Sequence, residues 1–206
     1  AHSWFGNLVT TAQARHMWLN EGFARYTEQL FIEAIYGADS AQGYHRTLLS
    51  QALGSYRVDK GWFGLNRIPP KQTYGSTTYD RGASMLHTLR GQLGDSLFFA
   101  GLRHYLDAYA WGVATPDSLR QSLEAVSGRK LEAFFATWVQ PAGLPVLQVA
   151  MAPTDAPRAV ALTLRADTIG QGKVPPSIRV PLRFLGAGTQ YQDTLLQLVP
   201  GQPVRL

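Results

Sequence analysis

The sequence predicts an α + β fold, in which a helical part comes first and an antiparallel β part follows it. From residue 1 to about residue 140, apolar residues recur at intervals of three and four, as on one face of a helix. After Pro141-Ala142-Gly143 the interval falls to two, which is typical of strands with one buried face. We therefore expect a helical domain over residues 1–142 and a small antiparallel β-sandwich domain over residues 143–206.

The composition is that of a folded protein without a nucleic-acid partner. Hydrophobic residues make up 45% of the 206 residues, and a chain of this length can bury roughly 70% of its unfolded surface. The net charge of +5 comes from scattered basic residues that form no run typical of a nucleic-acid site. The chain has no cysteine, which excludes disulfides, Cys-ligated zinc and thiol nucleophiles. No apolar run approaches the length of a transmembrane helix.

The apolar spacing locates the first helices. It predicts a long helix over residues 18–36 and a second helix that ends at Gly54. Glycines and prolines then indicate a loop over residues 54–78. Helical spacing resumes over residues 85–93, and Asp95 is expected to cap the helix that follows.

The clearest helix start in the chain is at Thr115. Its side chain suits the N-cap position, Pro116 lies in the first turn, and Asp117 faces the positive end of the helix. Gly128 is expected to end this helix. A last short helix is expected over residues 131–138.

Three runs of alternating residues predict strands in the second part of the chain, at residues 146–151, 160–165 and 178–184. Turn residues separate these runs, as expected for antiparallel strands. Pro181 lies inside the third run, and because proline has no N–H to donate, this strand is expected at an edge or a bulge.

The residues that could carry chemistry form four blocks. The first runs from His2 to Thr10 and contains Trp4-Phe5-Gly6-Asn7. The second runs from Trp18 to Ala24, and eighteen residues separate its Glu21 from His2. The third is Tyr79-Asp80-Arg81-Gly82-Ala83, and the fourth contains Trp138, Gln140, Gly143, Pro145 and Leu147.

These blocks resemble the gluzincin metallopeptidases, the zinc aminopeptidase family of aminopeptidase N and leukotriene-hydrolase type. The family pattern is H-E-x-x-H, eighteen residues and E, followed by Y-x-K-G-A, where this chain has Arg81 in place of Lys. The resemblance covers residues 1–150. It implies that residues 1–142 are the C-terminal part of a thermolysin-like catalytic domain, and that the substrate is a peptide.

The resemblance also implies roles for three residues and Zn²⁺ as the cofactor, one ion per catalytic site. His2 and Glu21 would be zinc ligands, and Tyr79 would donate a hydrogen bond to the oxyanion. A catalytic zinc site takes His nitrogen and carboxylate oxygen from three protein ligands and leaves a position open for water.

Each of these residues also has a plainer explanation when it is taken alone. His2 would be a packed helix residue, and Glu21 would be a surface carboxylate paired with Arg25. Tyr79 would be a core aromatic. Their common spacing and flanking blocks favour the zinc site instead. Trp4 and Phe5 are expected to pack rather than to contact substrate.

The family motif would place its first His and its general-base Glu upstream of Ala1. We therefore expect this chain to carry two of three protein zinc ligands, to bind zinc weakly and to hydrolyse nothing by itself. The parent protein would remove N-terminal residues from peptides, with the missing N-terminal half as a partner. Exposed apolar surface, and self-association that covers it, are expected where that half would pack.

Two alternatives stay open at this point. The parent could be a non-catalytic family member that serves as a binding or scaffold module, although intact Glu21 and Tyr79 count against this. It could also be a related peptidase with epoxide-hydrolase or glycyl-specific activity. The remaining histidines have no partner at ligand spacing and are expected on the surface or in the core: His16, His45, His87 and His104.

Overall fold

The computed structural model describes residues 1–155, 160–185 and 191–205, and it is a mixed helix-and-strand structure. The helices are α1 (Trp18–Tyr36), α2 (Ala38–Val58), α3 (Gly82–Leu93), α4 (Asp95–Ala108), α5 (Pro116–Ser127) and α6 (Glu132–Trp138). The strands are β1 (Val9–Thr11), β2 (Gly112–Ala114), β3 (Gly143–Pro153), β4 (Val160–Gly170), β5 (Ile178–Leu185), β6 (Tyr191–Leu198) and β7 (Pro203–Arg205). Within these ranges, no helix is long and apolar enough to cross a membrane.

The core of the helical part is built around α1. Trp18, Phe23 and Tyr26 are almost fully buried and belong to one cluster with apolar residues of the neighbouring helices α3, α4 and α5. Burial of each such large side chain contributes about 1.5–3 kcal/mol. The apolar face of α1 therefore fixes its position, and the first turn of this helix carries Glu21.

Helix α5 confirms the prediction from local signals. The Thr115 side chain accepts a hydrogen bond from the Ser118 backbone N–H, and the Ser118 hydroxyl accepts one from the Thr115 backbone N–H. Gly128 ends the helix in the left-handed conformation with φ of 65°. Both ends are specified by side chains within a few residues of them, and for this reason the sequence alone locates them.

The end of α2 was predicted wrongly. The helix continues through Gly54 to Val58, so the loop expected over residues 54–78 is shorter than predicted. Glycine in a helix interior costs about 1 kcal/mol relative to alanine. Tertiary contacts offset this cost, because the carboxylate of Asp59 at the helix end accepts hydrogen bonds from the backbone N–H groups of Ser76 and Thr77.

The start of α4 also differs from the prediction. Gly94 occupies the N-cap position with φ of 82°, and Asp95 lies in the first turn. There its carboxylate pairs with Arg90 at 2.7 Å instead of capping the helix.

The first part of the chain is not wholly helical, as had been expected. Strands β1 and β2 form a two-stranded parallel sheet in which Val9 pairs with Gly112 and Thr11 with Ala114. Each strand has three residues, too few for an alternating pattern to be recognised in the sequence.

The strands after Gly143 are antiparallel. β4 pairs with both β3 and β7, and β5 pairs with β6. The three predicted runs lie in β3, β4 and β5, whereas β6 and β7 were not predicted. In the described part of the chain, β5 has β6 as its single neighbour, so Pro181 lies in an edge strand as predicted. The division into two domains and the packing of the sheets as a sandwich stay predictions.

Candidate functional site

His2 and Glu21 lie beside each other. His2 is in the turn before β1, Glu21 is in the first turn of α1, and 3.4 Å separates Nε2 of His2 from Oε2 of Glu21. The other ring nitrogen of His2, Nδ1, lies 3.3 Å from the Phe5 carbonyl oxygen. Because a carbonyl oxygen only accepts, Nδ1 must donate, and in the neutral imidazole Nε2 then keeps its lone pair. Two acceptor atoms then face one point, as they would around a shared proton or a metal ion.

The first block of the sequence holds His2 in this place. The Phe5 ring stacks on Phe23 of α1 with 4.0 Å between the ring centroids. Gly6 has φ of 144°, and a Cβ atom there would lie 3.0 Å from the His2 carbonyl oxygen, so glycine is required. Phe5 therefore packs as expected, whereas the side chain of Trp4 is 56% exposed and the expectation that it packs was wrong.

Tyr79 lies next to Glu21. It belongs to a π-helical turn over Thr77–Arg81, which continues directly into α3. Burial, the charge of Glu21 and a hydrogen bond to Glu21 raise the pKa of Tyr79 to about 12. The phenol therefore lies close enough to the Glu21 carboxylate to feel its charge, and it is protonated at neutral pH. Turns of this kind are often found at functional sites.

A contact between two glycines brings these elements together. A Cβ atom on Gly22 would lie 3.1 Å from Cα of Gly82, so the backbones of α1 and α3 touch at this point. Gly22 follows Glu21, and Gly82 lies three residues after Tyr79. The glycines of the second and third sequence blocks thus let the two candidate side chains, Glu21 and Tyr79, approach each other.

Arg25 does not pair with Glu21. Its guanidinium contacts Glu28 at 2.5 Å and Asp80 at 3.3 Å, so the plainer explanation of Glu21 as a partner of Arg25 was wrong. The Glu21 side chain is 15% exposed and faces His2 and Tyr79 instead.

Sequence reasoning missed the contacts of Arg81. This side chain is buried and donates to the carbonyl oxygens of Phe63 at 2.5 Å, Pro141 at 2.9 Å and Gly143 at 2.9 Å. A fourth carbonyl, that of Trp138, lies at 3.3 Å. The presence of a cation in the third block was visible in the sequence, but these backbone partners are not encoded by any motif.

The donor atoms fit part of a zinc site. An imidazole nitrogen and a carboxylate oxygen are both ordinary zinc ligands, and in His2 the second ring nitrogen is held by a backbone carbonyl, as is common for ligating histidines. Across the described ranges, no group of three or more His, Asp or Glu side chains could hold a metal ion. This chain thus brings together two donors, one fewer than the three protein ligands of catalytic zinc sites.

Comparisons with known proteins show the family to which the chain belongs. The peptidase family M1 domain matches residues 1–138. Aminopeptidase N of Streptomyces lividans is 30% identical over 100% of this chain and 25% of that protein. The crystal structure of an M1 zinc metallopeptidase from Deinococcus radiodurans is 27% identical with a TM-score of 0.63, over 71% of this chain and 32% of that one.

A further solved structure shares the fold over the whole chain. It is Legionella pneumophila aminopeptidase A in complex with aspartic acid, with a TM-score of 0.73 and 19% identity over 100% of this chain and 23% of that one. The chain spans about a fifth of the length of the curated relatives it matches. The family match over two thirds of the chain nevertheless shows what it is: a member of peptidase family M1, the gluzincin zinc aminopeptidases of aminopeptidase N type.

Proposed function

We propose that this chain supplies two zinc ligands, His2 and Glu21, and an oxyanion donor, Tyr79, to a zinc aminopeptidase that removes N-terminal residues from peptides. The observation that supports this is the convergence of three side chains from separate elements. Nε2 of His2 lies 3.4 Å from Oε2 of Glu21, and the charge of the same carboxylate helps to raise the pKa of the Tyr79 phenol.

Each of the three side chains has a defined task in this proposal. Bound zinc would lower the pKa of a coordinated water toward about 7 and polarise the peptide carbonyl. Nε2 of His2 and the carboxylate of Glu21 would hold the ion, and the Phe5 carbonyl fixes the orientation of the imidazole. The Tyr79 phenol is protonated at neutral pH and can donate to the oxygen on which negative charge develops.

We further propose that the 206-residue chain alone binds zinc weakly and hydrolyses no peptide. Two protein ligands hold zinc less firmly than three, and the described residues add no third donor to His2 and Glu21. Among the described residues, the cluster of His2, Glu21 and Tyr79 also includes no general base to take a proton from the attacking water, and for this reason too we expect no hydrolysis.

We also propose that residues 1–142 are the C-terminal helical part of the catalytic domain and residues 143–206 a separate β-sandwich domain. The last helix ends at Trp138 and the first strand of the antiparallel part begins at Gly143. The match to the family domain, which ends at residue 138, supports this division.

Zinc affinity of the isolated chain tests the ligand assignment. The measurement is competition with a fluorescent zinc chelator at pH 7.5. We expect Glu21→Gln to weaken binding by at least about tenfold, because the amide is a much poorer zinc ligand than the carboxylate. Glu28→Gln is the matched control, since Glu28 lies two turns further along α1, exposed and paired with Arg25. Equal affinities of the Glu21 variant and the original chain would contradict the assignment.

Peptidase assays separate the enzyme from a non-catalytic scaffold. With an alanine p-nitroanilide substrate, we expect no turnover by the isolated chain and zinc-dependent turnover by the full protein. In the full protein, Tyr79→Phe should lower kcat by about 10²–10³ with little change in KM, because the donor acts in the transition state. A full protein that binds zinc but shows no turnover would support the scaffold instead.

A further inference from the structure

A cavity of about 320 Å³ lies where the helices meet the antiparallel strands. Its walls come from the end of α3, the connection between α5 and α6, helix α6 and the start of β5. None of the candidate zinc-site residues lines it. The cavity is thus a second concave site, separate from the one that carries the proposed chemistry.

Three cations line this cavity, Arg129, Lys130 and Arg179. Nη1 of Arg129 and Nη1 of Arg179 donate to one and the same atom, the carbonyl oxygen of Gln92, at 2.7 Å and 2.9 Å. The side-chain amide of Gln92 in turn donates to the Arg179 carbonyl at 3.2 Å, which fixes the strand against α3. Two guanidinium groups are therefore held close together by a partner that carries no charge.

No anion offsets these charges among the described residues. The residues that line the cavity include no Asp or Glu. Arg90 and Arg120 differ in this respect: Arg90 contacts Glu33 and Asp95, and Arg120 contacts three acidic side chains. Like charges in close proximity repel each other, so an anion placed between them is bound favourably.

Apolar and aromatic side chains also line the cavity. Phe134 and Trp138 of α6 pack against each other with 6.1 Å between the ring centroids, and both line the cavity together with Leu131 and Ile178. A cavity with a few fixed polar groups and apolar walls is typical of small-molecule sites. An inorganic ion would leave these side chains without a contact.

We propose that this cavity binds a small organic anion, with a carboxylate between Arg129 and Arg179 and an apolar group against Phe134 and Trp138. Each guanidinium has five N–H donors and uses few of them on Gln92, so donors remain for a bidentate contact with a carboxylate. Lys130 adds a third positive charge at the exposed side. The inference is independent of the zinc site and holds whether or not the peptidase function is correct.

Phenylacetate is a suitable probe, because it joins a carboxylate to one aromatic ring. It is titrated into the 206-residue chain, and binding is followed by tryptophan fluorescence and by the NMR signals of the arginine side chains. We expect saturable binding, with shifts of the Arg129 and Arg179 signals. Phenylacetamide, which has the same shape without the charge, should bind at least about tenfold more weakly, and so should inorganic phosphate.

Two variants locate the site. Arg179→Gln should weaken phenylacetate binding by about tenfold, through loss of a charge-assisted contact. Lys130→Gln should weaken it by about threefold, and because Lys130 is exposed this variant keeps the test valid even if Arg179→Gln unfolds. Arg46→Gln is the control, since Arg46 is an exposed arginine of α2 that does not line the cavity. Its affinity should be unchanged.

Three results would overturn the proposal. They are the absence of saturable binding by the original chain, equal affinity for phenylacetamide, and equal affinity for inorganic phosphate. Binding that persists unchanged in a folded Lys130→Gln variant and a folded Arg179→Gln variant would overturn it as well.

Discussion

Arg81 connects the candidate site to the start of the β part through backbone carbonyls. The residue lies two positions after Tyr79, and its guanidinium reaches the carbonyls of Pro141 and Gly143, where the antiparallel strands begin. Burial lowers the pKa of Arg81 to about 10, which leaves the side chain charged at neutral pH. No Asp or Glu in the described ranges pairs with Arg81, so the carbonyl dipoles alone stabilise this charge.

Replacement of Arg81 therefore tests the connection. Arg81→Met should lower the free energy of unfolding by about 3 kcal/mol, because buried carbonyls lose charged donors that the methionine cannot replace. Arg81→Lys should recover part of this loss, since an ammonium group reaches fewer carbonyls than the planar guanidinium. Urea unfolding monitored by circular dichroism gives the values. Arg103→Met on the exposed face of α4 is the control, and an equally small effect of both methionine variants would contradict the prediction.

A histidine pair forms a second feature at the level of single residues. The rings of His45 on α2 and His87 on α3 lie 3.8 Å apart, and the Gln29 amide donates to Nδ1 of His87 at 3.0 Å. The sequence places both residues in the surface or the core, and the structure confirms their burial in part. The sequence alone could not predict their contact, because residues 42 positions apart meet here through helix packing.

The pair predicts a loss of stability at acidic pH. Burial, His45 and Arg90 lower the pKa of His87 to about 4, against the raising effect of Glu33 and Asp95, and burial lowers that of His45. The unfolded chain therefore binds more protons, so the stability that is full above about pH 6.5 falls as the pH falls toward 4. The loss from His87 should reach about 3 kcal/mol, since one pKa unit corresponds to about 1.4 kcal/mol.

Urea unfolding at a series of pH values checks this prediction. Hydrogen bonds to Arg90 lower the pKa values of Glu33 and Asp95, so protonation of these carboxylates in acid also destabilises the folded chain. The informative quantity is thus the difference between the original chain and His87→Gln. The variant should show a shallower decline between pH 6.5 and 4.5, and identical slopes would rule out His87 as the cause.

At the level of elements, the contact between α1 and α3 decides the geometry of the candidate site. The second and third sequence blocks each contain a glycine, and these two residues, Gly22 and Gly82, touch through their backbones. The sequence predicts both blocks and the limits of α1 correctly. It does not predict the π-helical turn that carries Tyr79, because such a turn depends on tertiary contacts around residues 77–81 rather than on apolar spacing.

Gly22→Ala should separate these elements. The new methyl group would lie 3.1 Å from Gly82 Cα and 3.2 Å from the Thr78 carbonyl oxygen, both backbone atoms that cannot rotate away. Overpacking of this kind costs about 1–3 kcal/mol. Gly43→Ala in α2 is the matched control, since no atom lies within 4 Å of its Cβ position. It should stabilise the helix by about 0.5–1 kcal/mol.

The two glycine variants also differ in their expected effect on the site. Gly22→Ala should weaken zinc binding in the competition assay, because Glu21 and Tyr79 would move apart, whereas Gly43→Ala should leave it unchanged. Equal stability and equal zinc affinity in both variants would show that the close approach of α1 and α3 is not required.

For the molecule as a whole, local sequence signals predict the order of the elements, but they do not predict which distant segments pair with each other. Helix α5 is specified by Thr115 and Gly128 and was predicted with both of its ends. The parallel pairing of β1 with β2 joins segments about a hundred residues apart, and no local pattern reports it. The same holds for the cavity around Arg129 and Arg179, which forms where helices and strands meet.

The pairing of β1 with β2 also creates an exposed apolar surface, which we define by Trp4, Trp111 and Val113. Their side chains are 56%, 85% and 62% exposed. Trp111 has φ of 61° and is held there by a hydrogen bond from its backbone N–H to the Leu8 carbonyl at 2.7 Å. Within the described structure, this two-stranded sheet has no further strand on either side. Apolar side chains beside open strand edges favour association.

The isolated chain should therefore associate through this surface. Sedimentation velocity between about 5 and about 200 µM should show a weight-average mass that rises with concentration, as for a weak dimer. Trp111→Asn should shift the rise to at least about fivefold higher concentration, since asparagine tolerates a positive φ while it removes the indole. Tyr36→Asn, at an exposed aromatic residue at the end of α1, is the control. A mass that stays monomeric throughout, or an equal shift in the control, would show that this surface does not drive association.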